Sequence, residues 1–369
     1  MSKICVYAIC KNESKFINRW LDSMQEADYI VVMDTGSTDD TVEILKSDPR
    51  VTRVEVQEIK PWRFDVARNE SMKLVPEDAD ILVCKDFDEV FDPGWASALK
   101  DAWKNGVNRV HYTYAWSHTP SGDPTDIFVY DKIHTKDYYW KFAVHEVLWR
   151  DDYENEVCVD VGEKIYLHHY QDKSKERCSY FDLLKLSVEE YPDDSHVRML
   201  LAREYLLKDD LNNALNEYLT VLKMSDVEKP EKRLVLLESL GRCADIYMYL
   251  GNFDEAIWYA QEFIKEDHTY REPYLTLAKV YNQMGMFTLA EAMVNLAIKY
   301  GTKKNTWVER ADTWTYLPHE QLGLAHYNLG RVDEAITESI QALKYFPKDA
   351  QLLEEQNTYL RKKLKLNSN

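Results

Sequence analysis

The chain reads as two folds in series: an α/β domain on a mainly parallel sheet, then an all-α array of repeated helix pairs. Three observations predict this. Up to about residue 170, short β-rich runs alternate with amphipathic helical stretches, the order that strands joined by helical crossovers produce. From about Ser174 the periodicity is helical throughout. Within that half, a small residue, an aromatic, a glycine and an alanine recur at fixed offsets, as they must where like helix pairs stack.

In the first half, Ile4 to Ile9 is predicted as a strand, Lys15 to Met24 as a helix, and Tyr29 to Met33 and Thr52 to Gln57 as strands. Phe64 to Leu74 follows as a helix, then a buried strand ending at Cys84 and a helix from about Trp95 to Trp103. Arg109 to Ala115, Ile127 to Ile133, Val144 to Leu148 and Lys164 to His168 are short strands with few helices between them, as a mixed-sheet extension over a crevice requires. In the second half, Ala244, Tyr247, Gly251 and Ala256 set the pattern, repeated by Ala278, Tyr281, Gly285 and Ala290 and by Gly323, His326, Gly330 and Ala335. Ala202, Tyr205 and Ala214 form a copy without the glycine. The marker alanines 214, 256, 290 and 335 lie 42, 34 and 45 residues apart, so two intervals predict longer helices or inter-repeat loops. Four such units are enough for a small solenoid, each burying its apolar stripe against the next.

The length of 369 residues gives ample chain for two cores. Lys and Arg total 46 against 64 Asp and Glu, a formal charge of −18, which repels nucleic-acid phosphates and makes nucleic acid an unlikely partner. Six cysteines lie far apart with no Cys-x-x-Cys pair, pointing to neither a disulfide framework nor a zinc site and favouring a reducing cytoplasm. No apolar run is long enough to span a bilayer.

Two acidic loops carry the chemistry. Asp86-Phe87-Asp88-Glu89 follows the apolar run ending at Cys84, and Asp34-Thr35-Gly36-Ser37-Thr38-Asp39 follows Tyr29 to Met33. Carboxylates one residue apart at a strand's end can cage a hard divalent cation, which suits holding a diphosphate. In an open α/β sheet both loops would lie on one rim, at the carboxyl ends of the strands. The alternative is capping: Asp86 and Asp88 of the helix near Trp95, and Ser37, Thr38 and Asp39 of a helix beginning near Asp40. No Gly-rich phosphate cradle is present, so a diphosphate must be met by metal and by Arg or Lys. Arg68 is the candidate guanidinium for a phosphate or base, with a surface ion pair as the alternative.

Ala8-Ile9-Cys10-Lys11-Asn12-Glu13, Asp34 to Asp39, Phe64-Asp65-Val66-Ala67-Arg68-Asn69, Asp86 to Glu89 and Val144-His145-Glu146, in this order, resemble a family 2 glycosyltransferase of the GT-A fold. The helical pattern resembles the tetratricopeptide repeat. Together they imply an α/β GT-A domain (a Rossmann-like mixed sheet) over residues 1–170, followed by an all-α tetratricopeptide-repeat solenoid over 171–369. The resemblance implies that Asn12, Glu13 and Asp34 border the nucleoside. It places Asp88 on the metal, Mn²⁺ or Mg²⁺, and Asp86 on the ribose or a metal-bound water. A histidine ending the sheet completes the metal site in related enzymes; His169 aligns better than His168. Inversion by single displacement needs a base on the acceptor side; Glu146 is favoured for base or support and His145 beside it for donor or metal contact, with His145 also a candidate base and Glu89 a competing one. Lys132 and Trp140 are candidates for the diphosphate and for the sugar or acceptor.

The expected activity is therefore metal-dependent sugar transfer from a nucleotide-sugar, a UDP-sugar by analogy with similar enzymes. The acceptor would be a peptide, protein or glycan presented by the repeats, which could instead form a homodimer. Two other classes compete: a repeat-based binding module with an inactive transferase domain, against which Asp86 and Asp88 count, and a sugar nucleotidyltransferase. The latter needs a Gly-rich loop after the first strand, where Cys10 to Ser14 holds no glycine.

Overall fold

The strand β1 (Ile4–Cys10) is apolar on both faces and pairs in parallel with β2 (Tyr29–Asp34) on one side and β4 (Ile81–Cys84) on the other. The chain steps outward from β1 to β2 and β3 (Arg53–Val56), then crosses to the far side for β4. The switch point of this α/β sheet is thus between β1 and β4, where a crevice opens outside the strand ends. A computed structural model of the protein, describing residues 2–104, 106–119, 122–124, 126–172, 180–229, 232–304 and 306–366, carries this arrangement.

The sheet continues antiparallel through β7 (Ile127–His134) and β6 (Arg109–Ala115); β6 then pairs in parallel with β11 (Tyr166–His169), which pairs antiparallel with β5 (Glu89–Phe91), and β10 (Cys158–Asp160) also lies parallel on β6. β8 (Tyr139–Lys141) and β9 (Val147–Trp149) form a separate hairpin. The expected strand from Val144 to Leu148 begins only at Val147, because Phe142 and His145 take left-handed backbone conformations (φ 78° and 51°) that end extended pairing. Helices α1 (Ile17–Met24), α2 (Thr41–Ser47), α3 (Phe64–Met72) and α4 (Trp95–Ala102) complete the crossovers. One core holds Val6, Trp20, Phe87 and Trp95; another, on the opposite sheet face, holds Tyr7, Val31, Ala67 and Trp140. Alternate residues of β1 feed the two, as strand geometry dictates.

The chain divides into compact units at Met1–Glu190 and Tyr191–Asn369, so α5 (Tyr180–Glu190) belongs with the sheet. The second unit is helical: α6 (Ser195–Leu207) with α7 (Leu211–Val221), α8 (Arg233–Tyr249) with α9 (Phe253–Glu266), α10 (Glu272–Gln283) with α11 (Phe287–Tyr300), α12 (Tyr316–Asn328) with α13 (Val332–Tyr345), then α14 (Ala350–Leu366). Ala214, Ala256, Ala290 and Ala335 are wholly buried where helices cross. Gly251, Gly285 and Gly330 end first helices at φ 78°, 74° and 83°. In the copy without glycine, Asp209 takes the same place at φ 57°, a conformation aspartate tolerates better than most side chains. The long marker intervals correspond to extended connections, from α7 to α8 and from α11 to α12.

Candidate active site

Three loops meet at the switch point. After β1, Asn12 adopts φ 57°, and its side-chain oxygen accepts the Thr38 amide at 2.7 Å while its own amide donates to Ser37 Oγ at 2.8 Å. The Glu13 amide donates to Thr41 Oγ1 at 2.8 Å. Asn12 therefore ties the first loop to the second instead of capping α1. In that second loop Asp34 is fully buried. Its carboxylate accepts the Gly36 and Ser37 amides at 2.9 and 2.8 Å, together with the Ser37 hydroxyl. Asp39 accepts the Thr41 amide at 3.1 Å and caps α2.

The third loop differs. Phe87 is buried against Trp20 of α1, the rings stacked at 4.3 Å. With Phe87 inward, the side chains on either side of it reach the crevice, about a third (Asp86) and a quarter (Asp88) exposed. Neither caps α4: the Glu26 carboxylate does so, accepting the Gly94 and Ala96 amides at 2.6 and 3.1 Å. That partner lies too far back in sequence for local pattern to find.

Asp86 sits among cations. Arg68 on α3 is buried, so the surface ion pair weighed for it does not occur. Its Nη2 lies 3.0 Å from Asp86 Oδ1, its Nε donates to Glu146, and Nη1 lies 3.1 Å from Cys84 Sγ. Lys132 Nζ approaches Asp86 Oδ2 at 3.7 Å. Burial disfavours the Asp86 charge, but Arg68 and Lys132 outweigh it and hold the carboxyl well below the usual range. Behind it the Glu89 carboxylate, 2% exposed, accepts the Asp86 amide at 3.0 Å and pairs with the buried Lys85 at 3.5 Å. Lys85 donates to Tyr112 at 2.7 Å and stands about equally near the rings of Phe91, Tyr112 and Tyr130. This pair was not anticipated; the one signal was a lysine directly following an apolar strand.

Asp88 faces β11. Its Oδ2 lies 3.2 Å from His169 Nε2, and the other ring nitrogen, Nδ1, lies 3.2 Å from the Trp116 carbonyl. If Nδ1–H donates to that carbonyl, Nε2 of a neutral ring turns a lone pair toward a carboxylate. Such a contact needs a proton or a cation between the two. Burial opposes charge on the ring, but Asp88 overcomes it and raises the His169 pKa. Two ligands at right angles on an octahedral Mg²⁺ would be about 3 Å apart, so the spacing fits a shared metal equally well. A backbone carbonyl that accepts the other ring N–H is a usual support of a metal-ligating histidine. Among the described residues no group of three or more His, Cys, Asp or Glu is placed to hold a metal, so further ligands would be water or substrate. His168 points elsewhere, 2.8 Å from His118 and 3.3 Å from Asp92.

His145 is exposed on its left-handed bend. Glu146 has its carboxylate against Arg68. Trp140 is 2% exposed, with its indole N–H donated to Tyr7 at 2.8 Å, and so is core and not a sugar platform. Asn69 holds the Trp140 backbone through both amide atoms, each at 2.8 Å. The five described cysteines are free thiols, and Cys178 lies outside the described residues. No described helix is long and apolar enough to cross a membrane.

Family models match segments in both halves of the chain. Residues 5–142 match the family model for glycosyl transferase family 2, and residues 319–349, within α12 and α13 and the turns beside them, match a tetratricopeptide repeat. No curated protein matches the chain. Solved structures similar to it include the tetratricopeptide-repeat protein TTC0263 of Thermus thermophilus, at 22% identity over 49% of this chain and 88% of that one, TM-score 0.35. A tetratricopeptide-repeat protein of Parabacteroides merdae is similar at 17% identity over 48% and 64%, TM-score 0.38. The MamA protein is similar at 18% identity over 46% and 83%, TM-score 0.36. The chain thus carries a glycosyl transferase family 2 segment on its N-terminal α/β sheet and a tetratricopeptide repeat in its helical half, the architecture its motifs resemble.

Proposed function

We propose that this protein transfers a sugar from a nucleotide-sugar, a UDP-sugar by preference, to an acceptor hydroxyl with inversion, in a divalent-metal-dependent reaction in the cytoplasm. The observation that carries this reading is the Asp88–His169 pair, 3.2 Å apart at the crevice, next to the Asp86–Arg68–Lys132 cluster. Asp88 and His169 would hold Mn²⁺ or Mg²⁺, the imidazole favouring Mn²⁺; when bound, the cation offsets the charge of the departing nucleoside diphosphate.

The chain's own residues divide the remaining work. Arg68 and Lys132 balance the charges of Asp86 and Glu146, so the quartet is close to neutral without ligand. Lys132 is the cation of that quartet able to turn to a phosphate. Arg68, held by Glu146 and Asp86, positions the Asp86 carboxylate for the ribose, and Glu89 fixes the same residue through its backbone amide. Asn12, Glu13 and Asp34 build the wall beside the nucleoside. Of the three residues considered as base, the Glu89 and Glu146 side chains are only 2% and 9% exposed; His145 is exposed on its bend and is the one we assign to the acceptor proton. The helical half would present a peptide, protein or glycan acceptor or join a second copy.

Thermal unfolding with UDP, with and without Mn²⁺, tests this directly. The wild type should show stabilisation that needs both, and Asp88→Ala and His169→Ala should each lose the metal-dependent part. Equal stabilisation in all three proteins would remove the pair from the metal site.

A further inference from the structure

Trp140 is buried, yet the crevice has an exposed aromatic of its own. β7 runs antiparallel to both β4 and β6, and β6 runs parallel to β11. The carboxyl ends of β4, β6 and β11 therefore share one rim, and Trp116, the residue after β6, stands on it with the Asp86–Asp88 loop and His169. Side chains of a strand alternate between its faces, which settles where the ring looks. Tyr114 of β6 stacks on Tyr130 of β7 at 4.3 Å, and Lys132, two residues on from Tyr130, reaches Asp86 from that same face. Trp116 continues the row, edge-on to Tyr114 at 6.1 Å, and lays one ring face on His169 at 4.4 Å. Tyr114 is 3% exposed but Trp116 is 44% exposed, so much of an indole is left in water at the crevice, apolar surface that a ligand can cover with a gain.

The order of strands along the rim, β2, β1, β4, β7, β6, β11, says which part of a ligand comes there. In the sugar-transfer reading, on which this inference rests, the nucleoside lies by Asp34 and Asn12 at β2 and β1, and the diphosphate by Asp86 and Asp88 after β4. The next group of the donor along that line is its sugar, toward β6. A hexopyranose carries hydroxyls around its edge and C–H bonds on its faces. Those hydrogens are slightly positive, and the face of an aromatic ring is the negative side of its quadrupole. We infer that Trp116 is the seat of the transferred sugar: a hexopyranose lies flat on the outer face of the indole, while the inner face packs on His169 and the backbone carbonyl faces His169 Nδ1 at 3.2 Å. One residue thus joins the sugar's position to that of the imidazole.

Titration calorimetry of the full chain with Mn²⁺ present tests this, with UDP, UDP-glucose, UDP-galactose and UDP-N-acetylglucosamine as probes. Trp116→Ala should weaken binding of the sugar nucleotides that the wild type takes about tenfold while changing that of UDP by less than about twofold, because the backbone carbonyl opposite His169 is kept. Trp116→Phe, which restores a ring face, should recover most of the loss. Should the alanine variant not fold, Trp116→Leu, which keeps apolar bulk and removes the ring, is read by the same criteria. Equal losses for UDP and the sugar nucleotides would make Trp116 a support of His169 alone, and no loss for any probe would remove it from the site. Either result, or a wild type that binds UDP and none of the sugar nucleotides, overturns this inference and leaves the metal and nucleotide site standing. A wild type that binds none of the four probes overturns the sugar-transfer reading and this inference with it.

Discussion

The loops after β2 and β4 begin alike, each an aspartate leaving a buried strand at the same crevice, yet they spend their charge differently. Asp34 is wholly buried, and its oxygens are used by the Gly36 and Ser37 amides of its own turn. Asp86 and Asp88 are kept out of the core by the burial of Phe87 between them and meet groups from distant parts of the chain, Arg68, Lys132 and His169. A carboxylate answered by its own loop shapes backbone. One answered by long-range cations or by an imidazole keeps charge where a ligand can compete for it. The comparison separates two kinds of acidic motif that composition alone cannot tell apart.

The sharpest way to break this contrast is at Phe87. Phe87→Ala should cost about 3–5 kcal/mol of stability, as loss of a buried aromatic does, measured by urea unfolding; a change below about 1 kcal/mol would mean that the ring does not set the loop. Next in size, Asp88→Ala should lower sugar transfer by roughly two to three orders of magnitude, while its melting temperature without ligand stays near that of the wild type. A large fall in that melting temperature would place Asp88 with the structural carboxylates. Asp34→Ala should behave in the opposite manner, losing about 1–3 kcal/mol because the partly buried Gly36 and Ser37 amides lose their acceptor. The smallest effect concerns pH. Although burial opposes it, Asp39 is held at about 2 by the Thr41 hydroxyl and Ser14, so its folded pKa lies below the unfolded value of about 3.9. Its contribution is complete above the unfolded pKa and is lost as pH falls toward about 2. Asp39→Asn should therefore be slightly less stable than the wild type near neutral pH, with the gap closing in acid.

Much of the fold was legible because strands and helices obey local rules. The apolar runs at Ile4, Tyr29 and Ile81 are too short for helices and sit between turn residues, and the rim position of both acidic loops follows from their alternation with helices. The helical half was legible through Ala256, Ala290 and Ala335, which must be small where helices cross. Pairings between residues far apart in sequence were not. Glu26 at the start of α4 and Glu146 against Arg68 are separated from their partners by 68 to 78 residues. Arg68 was legible as a candidate for a phosphate or base, but a guanidinium on a short, weakly amphipathic helix gives no sign that it will be buried among carboxylates. The bend at His145 also escaped the sequence, since Val144 to Leu148 alternates like a strand and nothing in it demands a left-handed residue.

Burial of Phe87 against Trp20 has a consequence for redesign. The ring acts as a phase lock: adding or removing one residue between Cys84 and Glu89 would trade an inward for an outward position, driving an acidic group into the core or leaving an aromatic in water. Variation at this mouth would then come from the lengths and shapes of side chains around a loop of fixed length, with insertions confined to the neighbouring segments.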